Sequence, residues 1–307
     1  MKKSKNVALV LGSGGARGLA HIGVIEELER RGYNITSISG SSMGALVGGL
    51  LAANRLEEYK EWIISLDKID ILTLIDFTIS SRGIVKGHKV FERMQELNLI
   101  PNVNIEDLPT PYTAVAVDIL NNKLVVFDSG NLQTAIRASI SIPNVFTPLQ
   151  YNGSILVDGG VLSPLPLEYI KRQDDDLLIA VDLNAIKPYD HVKKGKDDKK
   201  SWSIDNPKFE KLVKQWDRLF GHFVDNHKGE EEGKKVQPKS LGYFDLAMRS
   251  IQLMQAQLTQ YALKVTPPDA LISISKSSAT VFEFYRAKEL IEYGRTECAK
   301  VLDEKGL

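Results

Sequence analysis

Gly40-Ser41-Ser42-Met43-Gly44 places a serine between two glycines at the spacing G-x-S-x-G. That spacing suits a sharp strand-to-helix turn, where small neighbours let Ser42 stand exposed as a nucleophile. A helix starting there would also favour negative charge developing near its N-terminus. A serine nucleophile needs a base. The five histidines are His21, His88, His191, His222 and His227, and none is a convincing partner. His21 lies between Ala20 and Ile22 and reads as structural, and His88 falls in the turn KGHK. The other three lie in or beside a charged, glycine-broken stretch, a poor platform for a base that must be held to within about 0.5 Å. Asp158 is better placed, ending the apolar run SILVDGG with Gly159 and Gly160 leaving space around it. An aspartate at its ordinary pKa of ~3.9 is a weak base. Burial beside a serine would raise that value, and hydrogen bonds from neighbouring N–H groups would lower it. A turn aspartate capping its own loop is the competing reading.

The second candidate element is Gly12-Ser13-Gly14-Gly15-Ala16-Arg17-Gly18, a glycine-rich turn after an apolar run. A dinucleotide fingerprint would need glycine where Arg17 stands, and an acidic residue about 20 positions on. The chain has Ser39-Gly40-Ser41 there instead, and no G-K-[ST] follows the loop. An oxyanion role asks less: two or three backbone N–H groups, flexible backbone and a serine nearby. Adjacent parallel strands would bring both turns to one sheet edge, where ligands bind in open α/β sheets.

Those turns require strands and helices of definite kinds. Asn6–Leu11 is a continuous apolar run, as expected of a strand covered on both faces. Ala16, Leu19, Ala20, Val24, Ile25 and Leu28 then recur at helical spacing, with Gly32 as a stop. Ile35–Ser39 reads as a second strand and Ala45–Asn54 as a helix of small residues. Strand, turn, helix, repeated, predicts a parallel α/β sheet with right-handed crossovers. Further strands are expected at Tyr112–Val117, Lys123–Asp128, Ser154–Val157, Leu177–Asp182 and Ala270–Ser275, and a helix from Asn131 to Ser139.

The chain has 307 residues, 43% of them apolar and 25% charged, enough for a sizeable core. Thirty-nine basic residues balance 39 acidic ones, so no nucleic-acid partner is expected. The single cysteine, Cys298, excludes an internal disulfide and fits a reducing compartment. Lys2, Lys3 and Lys5 precede VALVL, but glycine and serine interrupt it short of the ~7–15 apolar residues of a signal peptide. A cytoplasmic protein is expected, with possible contact at the inner membrane surface.

Residues 187–240 change character. Two charged, glycine-broken stretches flank KFEKLVKQWDRLFGHFVDNH, whose apolar residues from Phe209 to Val224 fall on one helical face. The 208–227 helix reads either as a surface helix packed on the core or as a lid or membrane-surface helix.

GSGGARGLAHIGVIEEL, GSSMGALVGGLLA, RGIVKGHKVFERM, AIRASISIPNVFTPL and LVDGGVLSPLP, in that order, resemble the patatin-like phospholipase family, in its bacterial branch related to neuropathy target esterase. The resemblance spans nearly the whole chain outside the insert. It implies one hydrolase domain over residues 1–307, with a three-layer α/β/α fold and a mostly parallel sheet. It also implies a Ser-Asp dyad of Ser42 and Asp158, and an oxyanion hole at Gly14, Gly15 and Ala16. Ser13, Arg17 and Gly18 would support that loop, Gly40 and Gly44 would form the nucleophile elbow, and Gly159 and Gly160 would complete the DGG motif. The implied substrate is a lipid or fatty-acyl ester, and neither cofactor nor metal is called for. Ser13 departs from the family's pattern, standing where its first glycine would be when the motif is aligned to end at Gly18. The alternatives are a lipid-binding protein of the same fold with little turnover, and a Ser-Asp-His hydrolase using His191, His222 or His227.

Overall fold

A computed structural model of the chain describes residues 5–74, 88–143, 145–189 and 243–307. The 208–227 stretch, and with it His191, His222 and His227, lies outside them. The first strand, β1 (Asn6–Leu11), pairs in parallel with β2 (Asn34–Ser41) on one side and β7 (Leu177–Ala185) on the other. β7 pairs in parallel with β8 (Ala270–Ser275). On the far side of β2 stands β3 (Tyr112–Asp118), also parallel to it. Three strands join antiparallel: β4 (Lys123–Phe127) on β3, β6 (Ser154–Asp158) on β3, and β5 (Leu149–Tyr151) on β6. The order is β5-β6-β3-β2-β1-β7-β8, with β4 off this path.

Helices cover both faces, giving three layers. The alternation of β1 divides the core: Val7, Leu9 and Leu11 join the large cluster on one face, while Ala8 and Val10 pack with Leu165, Leu167, Leu178 and Ala180 on the other. Such two-sided burial is why β1 reads as an unbroken apolar run. The large face carries α1 (Ala20–Arg30), α2 (Met43–Ala52), α3 (Leu56–Ser65), α6 (Leu132–Ser139) and α8 (Ala287–Lys305), with α4 (Lys68–Leu74) and α5 (His88–Glu96) at its margin. The thinner face is closed by residues 164–170 and by α7 (Tyr243–Val265), whose Ala262 and Leu263 pack on it. Gly32, with φ +75°, ends α1 as expected, and Tyr33 N–H donates to Leu28 O at 3.0 Å.

The register around β3 positions the site. β4 pairs with Ala114–Asp118 along one edge of that strand. The other edge is therefore shared: β2 takes Tyr112–Val115 and β6 takes Ala116–Asp118. One runs parallel to β3 and the other antiparallel, so their C-terminal ends meet head-on. Ser41 pairs with Val115 and Asp158 with Ala116, the next residue.

Candidate active site

Ser42 follows β2 directly and caps α2, with φ 55° and ψ −123°, a strained backbone for a residue with a side chain. Close packing explains the glycines around it. A Cβ on Gly40 would lie 2.4 Å from Gly44 O, and one on Gly44 would lie 2.0 Å from Leu11 O. Both must be glycine for α2 to start this close to β1 and β2. Gly18 has a similar task, since a Cβ there would press within 2.4 Å of Met43 Cβ.

The end of α6 holds both strand termini. Ser42 N–H donates to Ser139 Oγ at 2.9 Å, and Asp158 N–H donates to Ser141 O at 2.9 Å. Ser141 is itself fixed, because its Oγ accepts from Arg137 Nη1 at 2.7 Å. These contacts carry no motif of their own, and neither Ser139 nor Ser141 is assigned a role from sequence alone.

Asp158 is 3% exposed. Burial pushes its carboxyl up to about 7, against the opposing pull of the Ser42 hydroxyl nearby and of Gly160 N–H. Oδ1 accepts from Gly160 N–H at 2.7 Å, while Oδ2 has no partner among the described residues. Serine and carboxylate thus stand as neighbours short of a closed hydrogen bond. Such bonds commonly tighten only when substrate is bound.

Across from them runs the glycine loop. Gly12 N–H donates to Val181 O at 3.0 Å, Ser13 N–H to Pro164 O at 2.8 Å and Ala16 N–H to Val281 O at 3.0 Å. Of the three expected oxyanion donors, Ala16 is therefore committed elsewhere, and Gly14 and Gly15 are the pair without such a bond among the described residues. Gly15 has φ +56°, a conformation that favours glycine. Arg17 fastens the loop to the end of β7, donating from Nε to Leu183 O (2.9 Å), from Nη1 to Ala279 O (3.0 Å) and from Nη2 to Asn184 Oδ1 (2.9 Å). Burial brings its pKa down to about 10, still well above neutrality. His21 Nε2 bonds Gly12 O at 2.9 Å, and burial lowers its pKa to about 4. It is a neutral structural histidine holding the loop's first residue.

Ser13, Gly14, Gly15, Arg17, Ser42 and Asp158 line one small cavity of about 40 Å³, with Ile251, Gln252 and Gln255 of α7 on its wall. A larger cavity of about 290 Å³ lies between α7 and the ends of β7 and β8, and neither Ser42 nor Asp158 lines it. Both candidate side chains, Ser42 and Asp158, line the smaller one. Gly160 touches it through Gln255 Nε2, which donates to Gly160 O at 3.1 Å. Gly159 sits below, where a Cβ would be 2.2 Å from Val115 O. The opposite side of α7 exposes Leu246, Leu253, Met254, Tyr261 and Val265. No described helix is long and apolar enough to cross a membrane. Cys298 is buried in α8, and burial pushes its thiol up to about 12, so it is unreactive.

The family model for patatin-like phospholipases matches residues 9–170, which include every one of these turns. The chain belongs to the patatin-like phospholipase family. An uncharacterised NTE family protein of Mycobacterium bovis is 37% identical, the match covering 98% of this chain and 92% of that protein. A lysophospholipase NTE1 of the yeast Meyerozyma guilliermondii is 32% identical over 59% of this chain and 13% of its own length. Among solved structures, VipD from Legionella pneumophila aligns with a TM-score of 0.47 at 15% identity, covering 99% of this chain and 67% of that one. Family membership places the chain among lipid acyl hydrolases.

Proposed function

We propose that the protein is a serine lipid acyl hydrolase that works through a Ser42–Asp158 dyad. The observation that carries this reading is the buried Asp158 carboxyl beside Ser42, with Oδ2 unpartnered and its pKa raised to about 7. That value suits a base operating near neutral pH. Asp158 takes the proton as Ser42 Oγ attacks an ester carbonyl, and the N–H groups of Gly14 and Gly15 receive the oxyanion. The protonated aspartate then gives its proton to the leaving alcohol, and water hydrolyses the acyl-enzyme. Loss of one oxyanion donor would cost on the order of 10²–10³ in turnover.

The cavity holds little more than a water or two, far below the ~300 Å³ of even a small-molecule pocket. An acyl chain needs more room than this, which outward movement of the Ile251–Gln255 turn of α7 would provide. The apolar stripe on the outer side of that helix supports action at a lipid surface. Purified protein should release fatty acid from a chromogenic fatty-acyl ester, and Ser42→Ala and Asp158→Asn should each abolish release while remaining folded. Substantial turnover by either variant would sink the dyad.

A further inference from the structure

Two buried polar atoms in the cavity lack hydrogen-bond partners among the described residues: Asp158 Oδ2 and Ser13 Oγ. Ser13 is 3% exposed, and an unpaired hydroxyl in the interior is unfavourable unless something else employs it. Its direction is built in. Ser13 N–H donates to Pro164 O at 2.8 Å, and its carbonyl accepts from Asn184 Nδ2 at 2.8 Å. Asn184 is in turn held by Arg17. The side chain reaches the Asp158 side of the cavity. A Cβ built on Gly160 would lie 2.8 Å from Ser13 Oγ, 2.9 Å from Asp158 Oδ1 and 2.9 Å from Gln255 Nε2. A hydroxyl, a carboxylate and an amide from three distant parts of the chain gather there, around a volume suited to a water molecule.

We propose that Ser13 is a catalytic residue of the second half-reaction, holding the water that hydrolyses the acyl-enzyme. This rests on the reading of Ser42 and Asp158 given above. In deacylation the water oxygen bonds to the acyl carbon while one of its protons passes to Asp158. Ser13 Oγ accepts a hydrogen bond from the water's other O–H, which turns a lone pair toward the acyl carbon. The tetrahedral intermediate then collapses with cleavage of the bond to Ser42 Oγ. Asp158 returns the proton to that oxygen, and a carboxylic acid departs. In acylation the attacking hydroxyl is that of Ser42 itself, which needs no such hold. Ser13 therefore acts on one step of the two.

The test uses Ser13→Ala and Ser13→Gly, neither of which removes a backbone hydrogen bond. Acylation is followed as the burst of nitrophenol from a p-nitrophenyl fatty-acyl ester, and deacylation as loss of the acyl adduct by intact mass. Both variants should acylate within about twofold of wild type and deacylate about 10- to 100-fold more slowly, so that adduct on Ser42 accumulates. Deacylation at the wild-type rate would overturn the proposal. So would an equal fall in both steps, which marks an oxyanion donor or a damaged loop. Failure of the underlying reading looks different: wild-type protein would form no adduct on Ser42 and resist a fluorophosphonate probe.

Discussion

Ser42 and Asp158 stand at the C-terminal ends of two strands that abut on one edge of β3, Ser42 one residue past the Ser41–Val115 pair and Asp158 opposite Ala116. Their proximity is thus a consequence of sheet register, not of a flexible loop. The end of α6 clamps both backbones, through Ser139 Oγ on Ser42 and Ser141 O on Asp158. A site built this way is rigid before substrate arrives, which is what proton transfer between two side chains requires.

The first consequence is a pH dependence. Burial holds the Asp158 carboxyl at about 7, and only the ionised form can accept the Ser42 proton. kcat/KM should therefore rise with pH and reach half its plateau near pH 7. A limb near pH 4 would mean that the carboxyl is not desolvated. Stability should move the opposite way. The group titrates near 3.8 when unfolded and about 7 when folded, so between these values the native state binds more protons. Stability contributed by the buried neutral acid is thus present at low pH and lost as pH rises toward 7. Asp158→Asn should recover up to about 4 kcal/mol above pH 7 and change little below pH 4, as read by denaturant unfolding at both pH values.

Backbone strain at Ser42 gives the second. At φ 55° a residue with a Cβ is strained and glycine is not. Ser42→Ala and Ser42→Gly should both be inactive, yet the glycine variant should be the more stable by about 1 kcal/mol. Equal stability would show that the turn relaxes once the hydroxyl is gone.

Much of this was readable in the sequence where local chemistry is decisive. β1 and β8 were bounded to the residue because buried strands read as apolar runs, and the G-x-S-x-G and DGG turns marked Ser42 and Asp158 because such backbones demand glycine. β5, at three residues, is too short to show a period. α7 was not read at all. Its apolar residues point both ways, Ala262 and Leu263 into the core and Leu253 and Met254 outward, so no single stripe stands out. Ser139, Ser141 and Gln255 act through contacts that exist only after folding. The commitment of Ala16 N–H to Val281 O depends on a segment far away in the chain, and no loop motif could reveal it.

Close packing under Ser42 gives the third prediction. A methyl group on Gly44 would meet Leu11 O at 2.0 Å, so Gly44→Ala must push α2 away from β1 and move Ser42 with it. It should cost about 3 kcal/mol or more and remove most activity. Gly32→Ala is the control. Nothing lies within 4 Å of that added methyl, and only the positive φ is strained. It should cost about 1 kcal/mol and leave turnover unchanged.

The fourth concerns where the enzyme works. On α7, Ile251, Gln252 and Gln255 face the cavity while Leu253 and Met254 are 64% and 56% exposed on the other side. The exposed charged side chains described on that helix, Arg249 and Lys264, are both basic, as suits an anionic lipid surface. Apolar side chains of this size each gain on the order of 1–2 kcal/mol when buried in an interface. Leu253→Asp with Met254→Asp should thus lower hydrolysis of anionic phospholipid vesicles by about tenfold or more, and reduce co-sedimentation with them. Turnover of a short, soluble ester should stay within about twofold of wild type, since neither residue lines the cavity. Parallel losses on both substrates would instead assign these two residues to the stability of α7 over the site.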